Sequence, residues 1–398
     1  MKNLLEEAKK MQEELVAFRR KIHQNPEIGE HLPQTKKFVR EKLVQMGYQP
    51  QELGDSGLAA LAGDPGSGRC ILLRADMDAL PMREETELPF RSENGNMHSC
   101  GHDMHTAMLL GAASLLKSHE SELPGCVKLM FQPAEETFTG AQMMIREGIL
   151  ENPKVDAAIT MHGDGMSEYD AGKMTMITKG VAMASCDSYR IEIEGIGTHG
   201  AFPNQGVDPI MAGMNIYNAL QEIITREIKA SDVAVLTQGT FHAGTAANII
   251  PDTAYMEGTL RTFDKEVRMY IRQRVEEITM SVAAAFRVKA RCIWNGGCQP
   301  LYNDPEVFED VSGYIRELLG QEGLVIEGEE AVPFSSEDFS NILDLVPGIQ
   351  MFLVTGSMKA GADVPMHNPK IVFDESVMYI GAAVLAYVAS RWLEEHCR

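Results

Sequence analysis

The segment "MHSCGHDMHTA", residues 97–107, holds three histidines, a cysteine and an aspartate. Three chemistries use such a set. Thiolate and imidazole can bind a metal ion, a thiol can act as a nucleophile beside an imidazole, and Asp103 can simply cap a helix. The segment alone leaves all three open. Related residue types recur at a distance: Asp76 and Asp78 follow "CILLRA", Glu135 and Glu136 follow "VKLMFQPA", His162 follows "AAITM", and His367 lies in "ADVPMHNPK".

Taken together, these residue types suit a metal. Thiolate, imidazole and carboxylate favour zinc or a similar divalent ion, with manganese, cobalt and nickel also acceptable, over magnesium or calcium. One ion cannot easily use Cys100, His102, Glu136, His162 and His367 together. Two ions roughly 3.5–4 Å apart can, and such pairs suit hydrolysis of a carbonyl compound. A carboxylate that does not ligate can take a proton from the attacking water and later return it. Adjacent side chains of "PAEE" cannot point the same way along a strand, so one glutamate as ligand and the other as base is a natural division.

Competing readings fit less of the chain. A thiol hydrolase with Cys100 activated by His102 gives "PAEE" no role. A zinc deaminase needs Pro-Cys-x-x-Cys, which is absent. A structural zinc site is closed, rich in cysteine and short in span, whereas these residues spread from Cys100 to His367. His98 and His105 flank the motif and are expected to stay off the metal. His23, His31, His119 and His396 carry no motif and read as surface or packing residues. The acidic pair in "REET", residues 83–86, reads as a solvated helix start.

The elements that must position these groups alternate. Helices over "MKNLLEEAKKMQEELVAFRR" and "TKKFVREKLVQMGY" precede apolar runs "GLAALAG" and "CILLRADMDAL", which read as strands. A helix over "HTAMLLGAASLLKSH", a strand "CVKLMFQ", a helix "TGAQMMIREGIL" and a strand "VDAAITMHG" follow. This order predicts a mostly parallel sheet with helices on both faces, where ligands gather beyond the carboxyl ends of strands. Near Ser185 the pattern changes to βαββαβ, running from "CDSYRIEIEG" to "KARCIW". That order predicts a ferredoxin-like α+β unit. The expected organisation is a catalytic domain of residues 1–184 and 296–398, with residues 185–295 inserted as a lid and dimerisation domain.

Composition narrows the partners. The chain has 398 residues, 44% hydrophobic and 23% charged, with a formal net charge of −21. Such a charge repels nucleic acid and anionic membranes, and no basic run offsets it. The N-terminal stretch lacks the apolar centre of a signal peptide, and no apolar run approaches the roughly 18 residues that span a bilayer. Seven cysteines without paired spacing point to reduced thiols and a cytoplasmic protein.

The ordered segments "LLRADMDALPM", "MHSCGHDMHTAMLLGAA", "FQPAEE", "MHG", "GTHGAFPNQGVDPI", "NIIPDTAYMEGTLRTFD", "FSSEDFS" and "MHNPKIVFDE" resemble a metal-dependent amidohydrolase family. It contains N-acyl-L-amino-acid amidohydrolases, hippurate hydrolases and indole-acetyl-amino-acid hydrolases, within the aminoacylase and carboxypeptidase superfamily. The resemblance covers nearly the whole chain. It implies two divalent metal ions per subunit, held by Cys100, His102, Glu136, His162 and His367. It also implies that Glu135 is the general base and that Asp78 orients a ligand. His199 would serve the oxyanion, often from the partner subunit, and Asn248 and Arg261 would hold the substrate's carboxylate or carbonyl. Where the wider superfamily has His-x-Asp-x-x-Pro, this chain reads "DMDALP", with Asp76 at the histidine position. The implied activity is hydrolysis of N-acyl-amino acids by a homodimer or higher homo-oligomer. The alternatives are a dipeptidase or carboxypeptidase, or a catalytically silent binding relative.

Overall fold

A computed structural model describes residues 3–397. The chain divides into two compact units. The first comprises the residues up to Ala182, Tyr302–Val332 and those from Asp338 onward; the second comprises Met183–Leu301 and Pro333–Glu337.

In the first unit, among the described residues, eight strands form one sheet. Their order is Gln51–Leu53, Gly57–Gly63, Cys126–Gln132, Cys70–Asp76, Ala157–Asp164, Gly348–Val354, Met174–Met176 and Leu324–Ile326. From Cys126–Gln132 across to Gly348–Val354 the neighbours run parallel. The expected parallel arrangement is therefore present at the centre, while the edge beginning at Gln51 is antiparallel. A tight turn through Gly54, with φ of 61°, explains the pairing of Gln51–Leu53 with Gly57–Gly63, because so short a connection can only reverse the chain.

Period-two alternation sends side chains to both faces. Ile71, Leu73 and Ala75 pack under the helices His102–Ser118 and Met378–His396. Cys70 and Leu72 turn the other way, toward Ala141, Met144 and Ile342. The C-terminal helix is long and apolar enough to cross a membrane by composition, contrary to the expectation that no segment comes close. Its residues Ala382, Leu385, Val388 and Leu393 instead complete the core of this unit.

Register sets the site. Asp76 pairs with Gln132, and His162 lies two residues beyond the Arg74–Thr160 pair. Asp76, the residues leading into "PAEE" and His162 thus come level at the carboxyl ends of three adjacent parallel strands, where open α/β sheets collect ligands.

The second unit has an antiparallel sheet in the order Ala234–Ala243, Thr253–Thr262, Cys186–Glu194, Lys289–Cys298. This is the ferredoxin-like order. Helices Pro209–Glu222 and Lys265–Ala285 cover one face, burying Ile216, Leu220, Ile271 and Val275 against Ile191, Met256 and Leu260. Asp208 and Asp264 accept backbone N–H bonds at the starts of these helices, each a cap of about 1 kcal/mol.

Candidate metal centre

A left-handed glycine starts the site. Gly101, with φ of 87°, precedes the helix His102–Ser118, and a side chain at that conformation would be strained. The turn lets Cys100 and His102 face the same space. His102 Nδ1 donates to the Asp78 carbonyl at 2.9 Å, which leaves the lone pair on Nε2. That Nε2 is buried and has no hydrogen-bond partner among the described residues, and the same holds for Glu136 Oε1, 3.9 Å away. Leaving two buried polar atoms unpaired is costly, and a cation between them would satisfy both.

Asp78 assembles the glutamates. Its two carboxylate oxygens accept the N–H groups of Glu135 at 3.0 Å and Glu136 at 3.2 Å. The same carboxylate lies 3.5 Å from His102 Nδ1, so one buried residue orients both sides of the site. The turn into Glu135 passes through Ala134 at φ of 58°. Such strain in a residue with a side chain is uncommon and tends to sit at functional sites.

The remaining imidazoles close around Cys100. His162 Nδ1 donates to the Gly163 carbonyl at 2.8 Å, and its Nε2 faces Cys100 Sγ at 3.5 Å. His367 Nε2 lies 3.2 Å from the same sulfur and 3.6 Å from Glu136 Oε1. His367 also has positive φ, 60°, and its N–H is held by the Ser99 carbonyl. Two sets result, Cys100/His102/His162 and Cys100/Glu136/His367, with the ligand atoms of each within 4.8 Å of one another. Such donors fit divalent ions, which Cys100, His102, Glu136, His162 and His367 would hold.

The electrostatics agree with a site built around positive charge. Burial, then the neighbouring Glu136 carboxylate, pushes the Cys100 thiol well above its usual range, so it is a poor free nucleophile. Burial raises Glu136 to about 7, with Asp78 and Asp76 adding to the rise and His102 opposing it. Burial holds His162 neutral. A bound divalent cation would draw protons off the thiol and the carboxyl.

Asp103 does not cap its helix. Its carboxylate accepts from Arg19 Nε at 2.9 Å and His23 Nδ1 at 2.8 Å, and His23 Nε2 lies 3.2 Å from Glu84. Glu84 is buried and accepts from Ser92 N at 2.7 Å and from Thr86 Oγ1, so "REET" is not a solvated helix start. Nothing local in the sequence joins Arg19 to Asp103, 84 positions apart. His98 is buried and neutral, its pKa lowered by burial to about 3.

This network makes a pH prediction. Burial lowers the His23 pKa, but the charge and hydrogen bonds of Asp103 and Glu84 override it and bring it to about 9. A folded value above the ordinary one stabilises fully below about pH 6.5 and fades as pH rises through about 9. The contribution is on the order of 3 kcal/mol. Denaturant midpoints of wild type and His23→Gln should therefore differ most at pH 6 and converge by pH 9.5. A gap constant across that range would contradict the network.

His199, Asn248 and Arg261 belong to the second unit. His199 and Asn248 are exposed and adjacent: His199 pairs with Ile249, and Gly200 N donates to the Asn248 carbonyl. His199 Nδ1 accepts from Ala201 N at 3.0 Å, so its proton sits on Nε2. Arg261 lies near the other end of the strand Thr253–Thr262, bonded to the Phe334 carbonyl at 2.8 Å and Ser336 Oγ at 2.9 Å.

The chain is similar to several known proteins. The chain is 38% identical over 389 residues to an N-acetyl-L-cysteine deacetylase of Bacillus subtilis, spanning 97% of this chain and 90% of that one. It is 35% identical to a hippurate hydrolase of Campylobacter jejuni, spanning 98% of this chain and 100% of that one. A solved Bacillus subtilis structure, described as a dinuclear metal binding peptidase from the M20 family, superposes with a TM-score of 0.77 at 31% identity. That match covers 97% of this chain and 99% of the other. The profile of peptidase family M20/M25/M40 matches residues 72–391, and the chain belongs to that family.

Proposed function

We propose that this chain hydrolyses the amide bond of N-acyl-L-amino acids, using two divalent ions held by Cys100, His102, Glu136, His162 and His367. The observation that carries the reading is the buried, unpaired His102 Nε2 and Glu136 Oε1 facing Cys100, with Glu135 alongside. The ions would polarise the scissile carbonyl and lower the pKa of water to about 7. Glu135 takes the proton of the attacking water and passes it to the leaving amine. Asp78 keeps Glu135 and Glu136 in their separate roles by holding both backbone N–H groups. His199 offers its Nε2–H to the oxyanion, and Asn248 and Arg261 bind the substrate's carboxylate or carbonyl.

The second unit supports a homodimer. Met211, Met214 and Tyr217 leave an exposed apolar row on the helix Pro209–Glu222, and Ala234–Ala243 is an edge strand. Pairing edges across a two-fold axis would cover both. His199 lies beyond one end of the small sheet, and Arg261 is about 27 Å along the strand from Thr253 at eight residues of rise. Two groups so far apart within one unit meet a single small substrate most simply if one comes from a partner.

The test is a panel of N-acetyl-, N-benzoyl- and other N-acyl-amino acids beside dipeptides, assayed with metal-reconstituted protein and with chelated protein. Amine release from the N-acyl compounds that requires metal is expected. Turnover confined to dipeptides would move the assignment to a peptidase, and binding without turnover of any member would indicate a silent relative.

A further inference from the structure

We propose that His105 is a positioning residue of the metal centre: it fixes the peptide that follows His162 and ties it, through Asp76 and Arg74, to the sheet. The inference rests on the metal reading above. By spacing alone, Asp76, His102 and His105 would pass for a further ligand set, their donor atoms within 4.8 Å. The hydrogen bonds give His105 a different task.

Gly163 N donates to His105 Nε2 at 2.7 Å, so the imidazole proton sits on Nδ1, which donates to Asp76 Oδ1 at 2.6 Å. Both nitrogens are engaged, and neither lone pair is left for an ion. The other oxygen of Asp76 is taken by Arg74 Nη1 at 2.7 Å, and Arg74 Nη2 reaches Asp338 Oδ1 at 3.0 Å. His105, Asp76, Arg74 and Asp338 are all buried, which makes this a fixed chain of hydrogen bonds rather than a surface pair. A cation at this place would have to displace the Gly163 N–H and compete with Arg74.

The consequence falls on His162. Its Nδ1 bonds the Gly163 carbonyl, so the direction of its Nε2 toward Cys100 depends on how residue 163 is held. His105 holds the N–H of that residue and packs its ring against His162, centroids 4.4 Å apart at 63°. Groups that orient a ligand in this way change metal affinity without changing the ligand count.

Two substitutions separate the halves of the role. His105→Asn keeps a group near Asp76 but is too short to reach Gly163. His105→Gln brings its carbonyl to the Gly163 N–H. Apo-protein titrated with Mn²⁺ or Co²⁺ against a competing chelator gives affinity and stoichiometry, independent of turnover. Wild type and both variants should saturate with the same number of ions. His105→Asn should bind the weaker-held ion about 10–100-fold less tightly, and His105→Gln should recover most of that loss. Saturation at one ion fewer in both variants would make His105 a ligand and overturn the proposal. Unchanged affinity in His105→Asn would reduce the residue to packing. Should either variant fail to fold, wild type with cadmium and isotope-labelled histidine decides: metal coupling is expected at His102, His162 and His367, and coupling at His105 refutes it. Wild-type protein that binds no ion would overturn the metal reading itself, and this proposal with it.

Discussion

Glu135→Gln is expected to lower kcat by about 10³-fold, within the range for loss of a general acid–base, while both ions stay bound. The argument is geometric. Glu135 and Glu136 are consecutive, and their N–H groups are clasped by the two oxygens of one carboxylate, Asp78. The side chains are thereby fixed relative to each other. Glu136 Oε1 lies 3.6 Å from His367 Nε2 and is otherwise unpaired among the described residues, as a ligand should be. Glu135 lies outside the two donor sets that contain Cys100 but shares a further set with His102 and Glu136, so metal content is the readout that separates base from ligand. Glutamine keeps its size and can still hydrogen-bond, but it cannot accept and release a proton. Glu136→Gln should behave differently, losing metal and activity together. Elemental analysis beside a rate on an N-acyl-amino acid distinguishes the two patterns. Loss of metal from Glu135→Gln would reassign that residue as a ligand.

What the sequence could and could not reveal follows from range. Strand alternation and the βαββαβ order depend on neighbouring residues, so the parallel sheet centre and the ferredoxin-like order were legible. The candidate ligand types stood out because Cys100 and His102 lie where a helix begins and Glu136 and His162 lie at or just beyond the ends of strands, elements marked by local apolar patterns, whereas His367 was picked out by its loop segment alone. The supporting residues did not stand out. Arg19 and Asp103 meet across 84 positions, and Arg74 and Asp338 across 264, with no local signal in either member. His105 sits three residues after His102 in the same motif, and only the Gly163 N–H at 2.7 Å shows that its second nitrogen is taken. Positive φ at Ala134 was equally invisible, because alanine rarely adopts it.

His199 extends the argument from one chain to two. His199→Ala is expected to reduce kcat by about 10²–10³-fold, the usual loss of one oxyanion donor, with metal content untouched. The loss should fall on kcat more than KM, because a donor aimed at developing charge matters mainly in the transition state. Its Nε2–H is already set by the bond from Ala201 N to Nδ1, so the donor needs delivery rather than activation. If a partner delivers it, the two defects belong to different chains and can complement. Equal amounts of inactive His199→Ala and Glu135→Gln protein, dissociated and re-associated at random, make about half the dimers mixed. Each mixed dimer has one site with both groups intact, so about a quarter of wild-type activity should return. The other site of that dimer lacks both groups and stays silent. No recovery on mixing, with a fully active monomer at assay dilution, would show that His199 arrives within one chain. The exposed row of Met211, Met214 and Tyr217 would then need a different explanation, because a self-sufficient monomer has no use for it.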